Sequence, residues 1–391
     1  MNNILDYLDW RGDVPVSFDG FNEVDNLLLA ELSFLDLDGI VPGVGEHGSI
    51  ALSDAAERYF ARSGGATVDM GLLLTDKIPR LFARMARTAR FAGMRLALFT
   101  ERMDEQREQQ FGALCIEVGD GTVYVSFRGT DDTLLGWKED LNMSFLDAIP
   151  SQESAAAYLS LAARQYGQHR LRVGGHSKGG NLAVYSAVYA DPAVQDRIER
   201  IYSNDGPGFV RDITHSAEYR RVAKRILKLM PQSSVVGTLL EGEHTSQIVH
   251  SSAVGVLQHD GFSWEVRGTQ FVHLEKPSAE GKWIEQTFDA WAEELSAPQR
   301  EAFANALYEV LTSTGARTLS DLSAEKLKSA MGILKSYKNL DRETRKALSG
   351  AIGLLLRIGA QGAMQDTRRE GEREIAELRA RLEAQMRKQH E

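Results

Sequence analysis

The stretch that decides the fold lies at residues 175–180 and reads GHSKGG. It follows a short apolar run at residues 171–174, which is typical of a buried strand. Residues 181–190 follow it and read NLAVYSAVYA, a pattern that favours a buried helix. The sequence therefore predicts a strand, a tight glycine turn and a helix, with Ser177 at the turn.

A Gly-x-Ser-x-Gly pattern in this setting indicates a nucleophile elbow, in which a sharp turn raises a serine hydroxyl above the end of a sheet. The alternative is a glycine-rich turn that serves packing only, or that binds an anion at the helix N-terminus. The order of strand, turn and helix favours the elbow. Ser177 is therefore the predicted nucleophile.

Composition and charge exclude several classes of protein. The chain has 391 residues and a formal net charge of -10, which argues against nucleic-acid binding because a phosphate-binding surface needs a basic field. The single cysteine, Cys115, excludes intramolecular disulfides and cysteine-rich zinc sites. We expect neither a metal nor an organic cofactor.

The N-terminal residues lack the basic and apolar segments of a secretory signal, and no uninterrupted apolar run reaches transmembrane length. These patterns predict a cytoplasmic protein without a transmembrane segment. Residues 347–364 form the most apolar C-terminal stretch. They predict a buried helix or an interfacial helix that faces lipid, so peripheral membrane contact is a further expectation.

Strand patterns alternate with helical patterns over residues 1–279, which predicts a mostly parallel sheet flanked by helices, an α/β fold. Within this region, residues 20–108 have helical patterns that suggest cap elements. Residues 280–391 retain only helical periodicity. We therefore divide the chain into a catalytic domain, 1–279, and a helical C-terminal segment, 280–391.

Two further motifs accompany the elbow in chain order. Residues 127–131 read FRGTD, residues 137–141 read WKEDL, and residues 175–183 read GHSKGGNLA. These resemble the class 3 lipases, whose corresponding pieces are FRG(S/T), WxxDL and GHSLGGALA. The segments ILDYLDWRGD at 4–13 and DGPGF at 205–209 also resemble a lipase-like bacterial family of unknown function called Mbeg-like. The resemblance covers roughly residues 1–275 and implies an α/β-hydrolase fold with lipase-like chemistry.

An acyl-transfer serine needs donors for the oxyanion. In this fold type they are the N–H after the nucleophile, here Lys178, and an N–H from a loop after an earlier strand, here Thr130. We expect Arg128 and Asp140 to pair and brace this loop. Lys178 stands where the lipases have leucine, and its side chain is expected either to face the site, where it would favour an anionic group, or to lie in solvent.

The base is predicted to be His259, in a loop before the last strand, where an imidazole can reach back across the sheet edge. His250, His244 and His273 remain alternatives. His250 falls within an alternating strand pattern, which favours packing over catalysis.

The triad acid is harder to place. The class 3 pattern has Asp-x-Val-Pro after the strand that here covers residues 226–230, but residues 233–237 read SSVVG and contain no carboxylate. Asp205 follows the strand after the nucleophile helix and is the predicted replacement. An aspartate before glycine is also an ordinary turn former, and Asp260 is a poor candidate because it adjoins His259.

The leading hypothesis is a serine hydrolase that cleaves a carboxylic ester through a Ser-His-Asp triad and an acyl-enzyme, with a small-molecule or lipid-like substrate. A rival hypothesis is a non-catalytic binding or scaffold protein that keeps the same fold. A third is a thioesterase or peptidase that uses the same serine. The missing Asp-x-Val-Pro carboxylate motivates the second hypothesis.

Overall fold

A nine-stranded sheet organises the chain in the computed structural model. The structure describes residues 2–62, 77–240, 246–282, 284, 295–313, 315–324, 342, 344–346, 349 and 350. The strands are β1 (Ile50–Ala51), β2 (Arg95–Asp104), β3 (Gln109–Glu117), β4 (Thr122–Phe127), β5 (Arg170–His176), β6 (Ile198–Asn204), β7 (Ile226–Pro231), β8 (Gln247–Val249), β9 (Val266–Arg267), β10 (Gln270–Phe271) and β11 (His273–Leu274).

Helices connect and cover the strands. They are α1 (Ile4–Arg11), α2 (Glu23–Glu31), α3 (Leu52–Arg62), α4 (Lys77–Met85), α5 (Leu134–Asn142), α6 (Pro150–Gln165), α7 (Lys178–Val188), α8 (Pro192–Gln195), α9 (Ala217–Val222), α10 (Ala297–Thr312) and α11 (Leu319–Ala324). Short 3-10 helices lie at Leu32–Phe34, Ala223–Arg225, Gly255–His259 and Gly261–Ser263.

The strand order in the large sheet is β1-β2-β3-β4-β5-β6-β7-β8-β11. Strands β4 to β8 run parallel, and the pairs at both ends of the sheet are antiparallel. Strands β9 and β10 form a separate antiparallel pair. The carboxyl ends of the parallel strands therefore meet along one edge of the sheet, where loops can bring side chains together.

The predicted fold class is confirmed. The apolar run before the GHSKGG stretch is strand β5, and the helical pattern after it is α7. The described helices at the C-terminal end, α10 and α11, agree with the helical character predicted there. The division between a catalytic domain and this segment stays a prediction, and most of residues 325–391 lie outside the described residues.

The expectation of cap elements over residues 20–108 stays a prediction, but the helical pattern expected throughout that range is wrong at residues 95–104. Strand β2 belongs to the sheet, where it pairs with β3. Helix α2 is buried on nearly every side rather than lying over the site. The extended pairing of β2 overrides the helix-forming residues in its sequence because strand preference depends on cross-strand partners.

Helix α2 is fixed at its start by polar contacts that the sequence determines locally. Asn22 caps the helix, and Asp25 completes a capping box. The Asp25 carboxylate also forms an ion pair with Arg90, 2.5 Å apart, in which both side chains are fully buried. The guanidinium of Arg90 also donates hydrogen bonds to the backbone carbonyls of Val14, Asp19 and Gly20. This pairing ties the N-terminal segment to α2.

Helix α2 is attached to the end of strand β5. Asn26 donates a hydrogen bond to the Asn204 side chain at 2.8 Å, and Asn204 donates in turn to the Gly175 carbonyl at 3.0 Å. All these groups are buried. As a result, Glu31, the last residue of α2, lies near the GHSKGG turn.

Candidate active site

Ser177 lies at the turn between β5 and α7. Its backbone has φ 59° and ψ -133°, a conformation that non-glycine residues rarely adopt. The turn is closed by the Ser177 N–H, which donates to the Asn204 carbonyl at 2.9 Å. A Cβ on Gly179 would lie 2.2 Å from the Phe127 carbonyl oxygen, so the motif glycine is required by the close approach of α7 to β4. This is the geometry of a nucleophile elbow.

The structure brings His259 and Asp205 together. His259 ends the 3-10 helix Gly255–His259, and Asp205 follows β6. The His259 Nδ1 lies 2.6 Å from Asp205 Oδ2, and the aspartate side chain is completely buried. Since Nδ1 is engaged by the carboxylate, Nε2 is the nitrogen left for proton transfer.

Ser177 is linked to this pair through its neighbour in the chain. The ring of His176 stacks on that of His259 with centroids 4.6 Å apart and planes 29° apart. The Ser177 N–H also donates to the carbonyl of Asn204, the residue that precedes Asp205 at the end of β6. The three predicted triad residues therefore lie at one edge of the sheet.

The other candidate residues have different partners. His250 Nδ1 lies 2.8 Å from Glu265, and His273 Nε2 lies 2.8 Å from Glu23. Asp260 forms an ion pair with Lys77 at 3.0 Å. His244 lies outside the described residues.

The segment that lacks the expected carboxylate contributes a hydroxyl to the acid instead. Ser234 Oγ donates a hydrogen bond of 2.5 Å to Asp205 Oδ1 and accepts one from the Gly237 N–H at 2.8 Å. Both oxygens of Asp205 are thus engaged, one by His259 and one by Ser234. The sequence offered no signal for this contact because serine is common in loops.

The loop after β4 lies directly against the elbow. A Cβ on Gly129 would lie 2.5 Å from the His176 carbonyl oxygen and 3.1 Å from Ser177 Cβ, so the loop can approach this closely only with glycine there. In the described part of the chain, the backbone N–H groups of Thr130 and Lys178 have no hydrogen-bond acceptor. The first N–H groups of a helix are unpaired in this way and can hold an anion.

Two consecutive carboxylates of α5 hold the residues that carry these N–H groups. Thr130 Oγ1 donates to Asp140 Oδ1 at 2.8 Å. Lys178 Nζ donates to Glu139 Oε2 at 2.9 Å and to the Gln110 side chain at 2.7 Å. Helix α5 therefore fixes both sides of the turn.

Two expectations about this region are wrong. Arg128 does not pair with Asp140: its guanidinium donates to Glu101 at 2.6 Å and to the Ser33 carbonyl at 2.6 Å, on the other side of the loop. The Lys178 side chain neither faces the site nor lies in solvent, because it is 1% exposed and paired with Glu139. Arg128 and Lys178 both form ion pairs with residues that are distant in sequence.

A second histidine and carboxyl group lie beside the first pair. His176 Nε2 lies 2.8 Å from the His259 carbonyl oxygen, and its Nδ1 lies 3.4 Å from Glu31 Oε1. Burial, together with nearby His259, lowers the pKa of His176 to about 3. Burial, reinforced by the charge of Asp260, raises the pKa of Glu31 to about 8. Neither residue was singled out for a role by its sequence pattern.

Within the described ranges there is no group of three or more histidine, cysteine, aspartate or glutamate side chains arranged to hold a metal ion. Among the same residues, no helix is long and apolar enough to cross a membrane.

A family model described as Mbeg1-like matches residues 85–309, more than half of the chain. The chain belongs to the Mbeg1-like family. The matched range contains the β4 loop, the elbow, Asp205 and His259, so the resemblance indicated by the sequence motifs is confirmed. No curated protein matches this Mbeg1-like chain.

Solved structures with similarity to this Mbeg1-like chain include three fungal proteins. Lip2 lipase from Yarrowia lipolytica is 10% identical, with 56% of this chain and 80% of that chain covered and a TM-score of 0.35. A mutant form of MDLA from Penicillium cyclopium is 12% identical, with 67% and 90% covered and a TM-score of 0.36. The Rhizomucor miehei lipase propeptide complex is 14% identical, with 52% and 66% covered and a TM-score of 0.32.

Proposed function

We propose that this Mbeg1-like chain is a serine hydrolase that cleaves carboxylic esters. The observation that carries the proposal is the 2.6 Å contact between His259 and the buried Asp205, beside the strained turn that holds Ser177. A nucleophile, a base and a group that orients the base are the parts that acyl transfer requires. The carboxylate missing from the Asp-x-Val-Pro segment, which motivated a binding or scaffold role, is supplied in this proposal by Asp205.

In the proposed reaction, Ser177 Oγ attacks the ester carbonyl carbon while His259 Nε2 accepts the hydroxyl proton. The N–H groups of Thr130 and Lys178 stabilise the oxyanion that develops on the carbonyl oxygen. His259 then gives its proton to the departing alkoxide, which leaves as an alcohol. Water repeats these steps on the acyl-enzyme and releases the acid, so the enzyme returns to its starting state.

The surface beside the base favours a substrate with an apolar acyl chain. Val256 and Leu257, in the same 3-10 helix as His259, are 61% and 65% exposed. Apolar side chains left in water next to a reactive group gain free energy when a hydrocarbon chain covers them. We therefore assign a lipid-like or aryl ester, rather than a highly charged one, as the substrate class.

Replacing Ser177 by alanine is expected to lower the hydrolysis of p-nitrophenyl butyrate and laurate by more than about a thousandfold, because the covalent route is lost. The measurement is initial rate by nitrophenolate absorbance, for the wild type and for Ser177→Ala. Ser160→Ala is the matched control, since Ser160 lies on α6 and bonds only within that helix; its rate should equal that of the wild type. Hydrolysis retained in Ser177→Ala, or absent from the wild type with both esters, would contradict the proposal.

A further inference from the structure

His176 is held in one tautomer by the contact on its Nε2. The nitrogen lies 2.8 Å from the His259 carbonyl oxygen, which can only accept a hydrogen bond. Nε2 therefore carries a hydrogen. Because this histidine is buried and its pKa is lowered to about 3, the ring is neutral, and Nδ1 presents a lone pair.

A buried carboxyl group lies beside this nitrogen. Glu31 Oε1 lies 3.4 Å from His176 Nδ1, and both side chains are at most 9% exposed. Among the described residues, Glu31 Oε1 has no hydrogen-bond partner of its own. If Glu31 were ionised, its Oε1 and the His176 Nδ1 would be two hydrogen-bond acceptors in contact with no hydrogen between them. A protonated carboxyl can instead donate to Nδ1, which gives both atoms a partner.

The surroundings of Glu31 favour the protonated form. His176 on β5 faces it with a lone pair, and Asp260, in the loop after the 3-10 helix, adds negative charge that Lys77 partly offsets at 3.0 Å. Tyr124 on β4, a further titratable neighbour, is buried and has its pKa raised well above the usual value, so it is neutral. With burial as the main cause, the pKa of Glu31 rises to about 8.

We infer that Glu31 is a positioning residue, whose protonated carboxyl donates to His176 Nδ1 and thereby keeps the His176 Nε2–H on the His259 carbonyl. The inference rests on the proposed function. His259 ends a 3-10 helix in which Val256 and Leu257 are exposed and the buried Gln258 carbonyl accepts from Trp264, so His176 adds the hydrogen bond at the His259 carbonyl itself. The hydrogen bond from His176 fixes the backbone of the base, while Asp205 fixes its ring.

The inference has a direct consequence for pH dependence. Glu31 is protonated below its pKa of about 8 and ionised above it. The donor to His176 is therefore present at neutral pH and lost as the pH rises through that value. Ionisation also places a negative charge against Nδ1 and favours the Nδ1–H tautomer, which cannot donate to the His259 carbonyl.

The activity test compares kcat/KM for p-nitrophenyl butyrate from pH 6 to pH 10 in the wild type, Glu31→Gln and His176→Gln. We expect the kcat/KM of the wild type to fall about tenfold above pH 8, because one hydrogen bond that holds the His259 backbone is lost. Glu31→Gln keeps an N–H donor at every pH, and His176→Gln places an amide N–H near the position of the His176 Nε2–H, where it can donate to the His259 carbonyl without needing Glu31. Both variants should lack the alkaline fall; a fall that persists in either of them would overturn the inference.

A second readout does not depend on catalysis. In protein with ¹⁵N-labelled histidine, the His176 signals, assigned by their absence from His176→Gln, should show the neutral Nε2–H tautomer at pH 7 and a change centred near pH 8. In Glu31→Gln this change should disappear. A His176 ring that becomes an imidazolium near pH 6.5, or that carries its hydrogen on Nδ1 at pH 7, would overturn the inference. Absence of wild-type hydrolysis would instead overturn the proposed function. The tautomer measurement would then decide whether Glu31 holds His176 in the Nε2–H form.

Discussion

Replacing Asp205 by asparagine is expected to lower kcat by about four orders of magnitude, the size of effect known for the equivalent change in a serine protease triad. The reason lies in the partners of the two Asp205 oxygens. Ser234 Oγ accepts from the Gly237 N–H, so its own hydrogen points to Asp205 Oδ1. The asparagine carbonyl must therefore face Ser234, which leaves its NH₂ group facing His259 Nδ1. A donor at that place forces the hydrogen of the imidazole onto Nε2, and His259 can then no longer accept the Ser177 proton.

The measurement is kcat for p-nitrophenyl butyrate, together with circular dichroism to show that the variant is folded. Asp260→Asn is the matched control, because Asp260 adjoins His259 in sequence but pairs with Lys77. We expect the kcat of the control to stay within about threefold of the wild-type kcat, since a partly exposed ion pair contributes little free energy. An Asp205→Asn enzyme within tenfold of the wild type would show that Asp205 does not orient the base.

Replacing Glu139 by alanine is expected to lower the free energy of unfolding by about 3–5 kcal/mol, because buried Lys178 would lose its carboxylate partner at 2.9 Å and keep only Asp140, 3.9 Å away. Lys178 and Glu139 have side chains that are 1% and 0% exposed. Glu139 also accepts hydrogen bonds from the N–H groups of Gln110 and Ser151, which would lose their acceptor. The loss should be measured by urea unfolding at pH 7.

Two comparisons isolate the cause of that loss. Glu153→Ala removes an exposed ion pair with Arg107 and should change stability by less than about 1 kcal/mol. Adding Lys178→Leu to Glu139→Gln should recover most of the stability, since this double variant leaves no buried charge without its partner and the glutamine carbonyl can still accept a backbone N–H. Equal losses in Glu139→Ala and Glu153→Ala would show that the buried pair carries no special weight.

The parts of the site that the sequence predicted are those determined within a few residues. The glycines around Ser177 and the apolar runs on either side specify the strand, turn and helix without reference to the rest of the chain. Asp205 and His259 were predicted because loops at strand ends meet at one edge of a parallel sheet, and the structure places their side chains 2.6 Å apart. These are rules of local geometry and topology.

The parts that the sequence did not predict depend on contacts between distant segments. Arg128 pairs with Glu101 on β2. The helix-forming residues of β2 led to the prediction of a helix there. Lys178 pairs with a glutamate of α5, and Glu31 reaches His176 only because α2 is buried against β5. A charged residue's partner is selected by packing, so its sequence neighbours cannot reveal it.

Labelling by a fluorophosphonate probe tests the central claim, an activated serine at the elbow, most directly. The probe reacts with a serine whose hydroxyl can lose its proton to a neighbouring base, and it needs no knowledge of the natural substrate. We predict one adduct on the wild type, placed on Ser177 by peptide mass mapping, with labelling strongly reduced in His259→Ala and absent from Ser177→Ala. A wild-type protein that takes no label, or that carries it on another residue, would contradict the account.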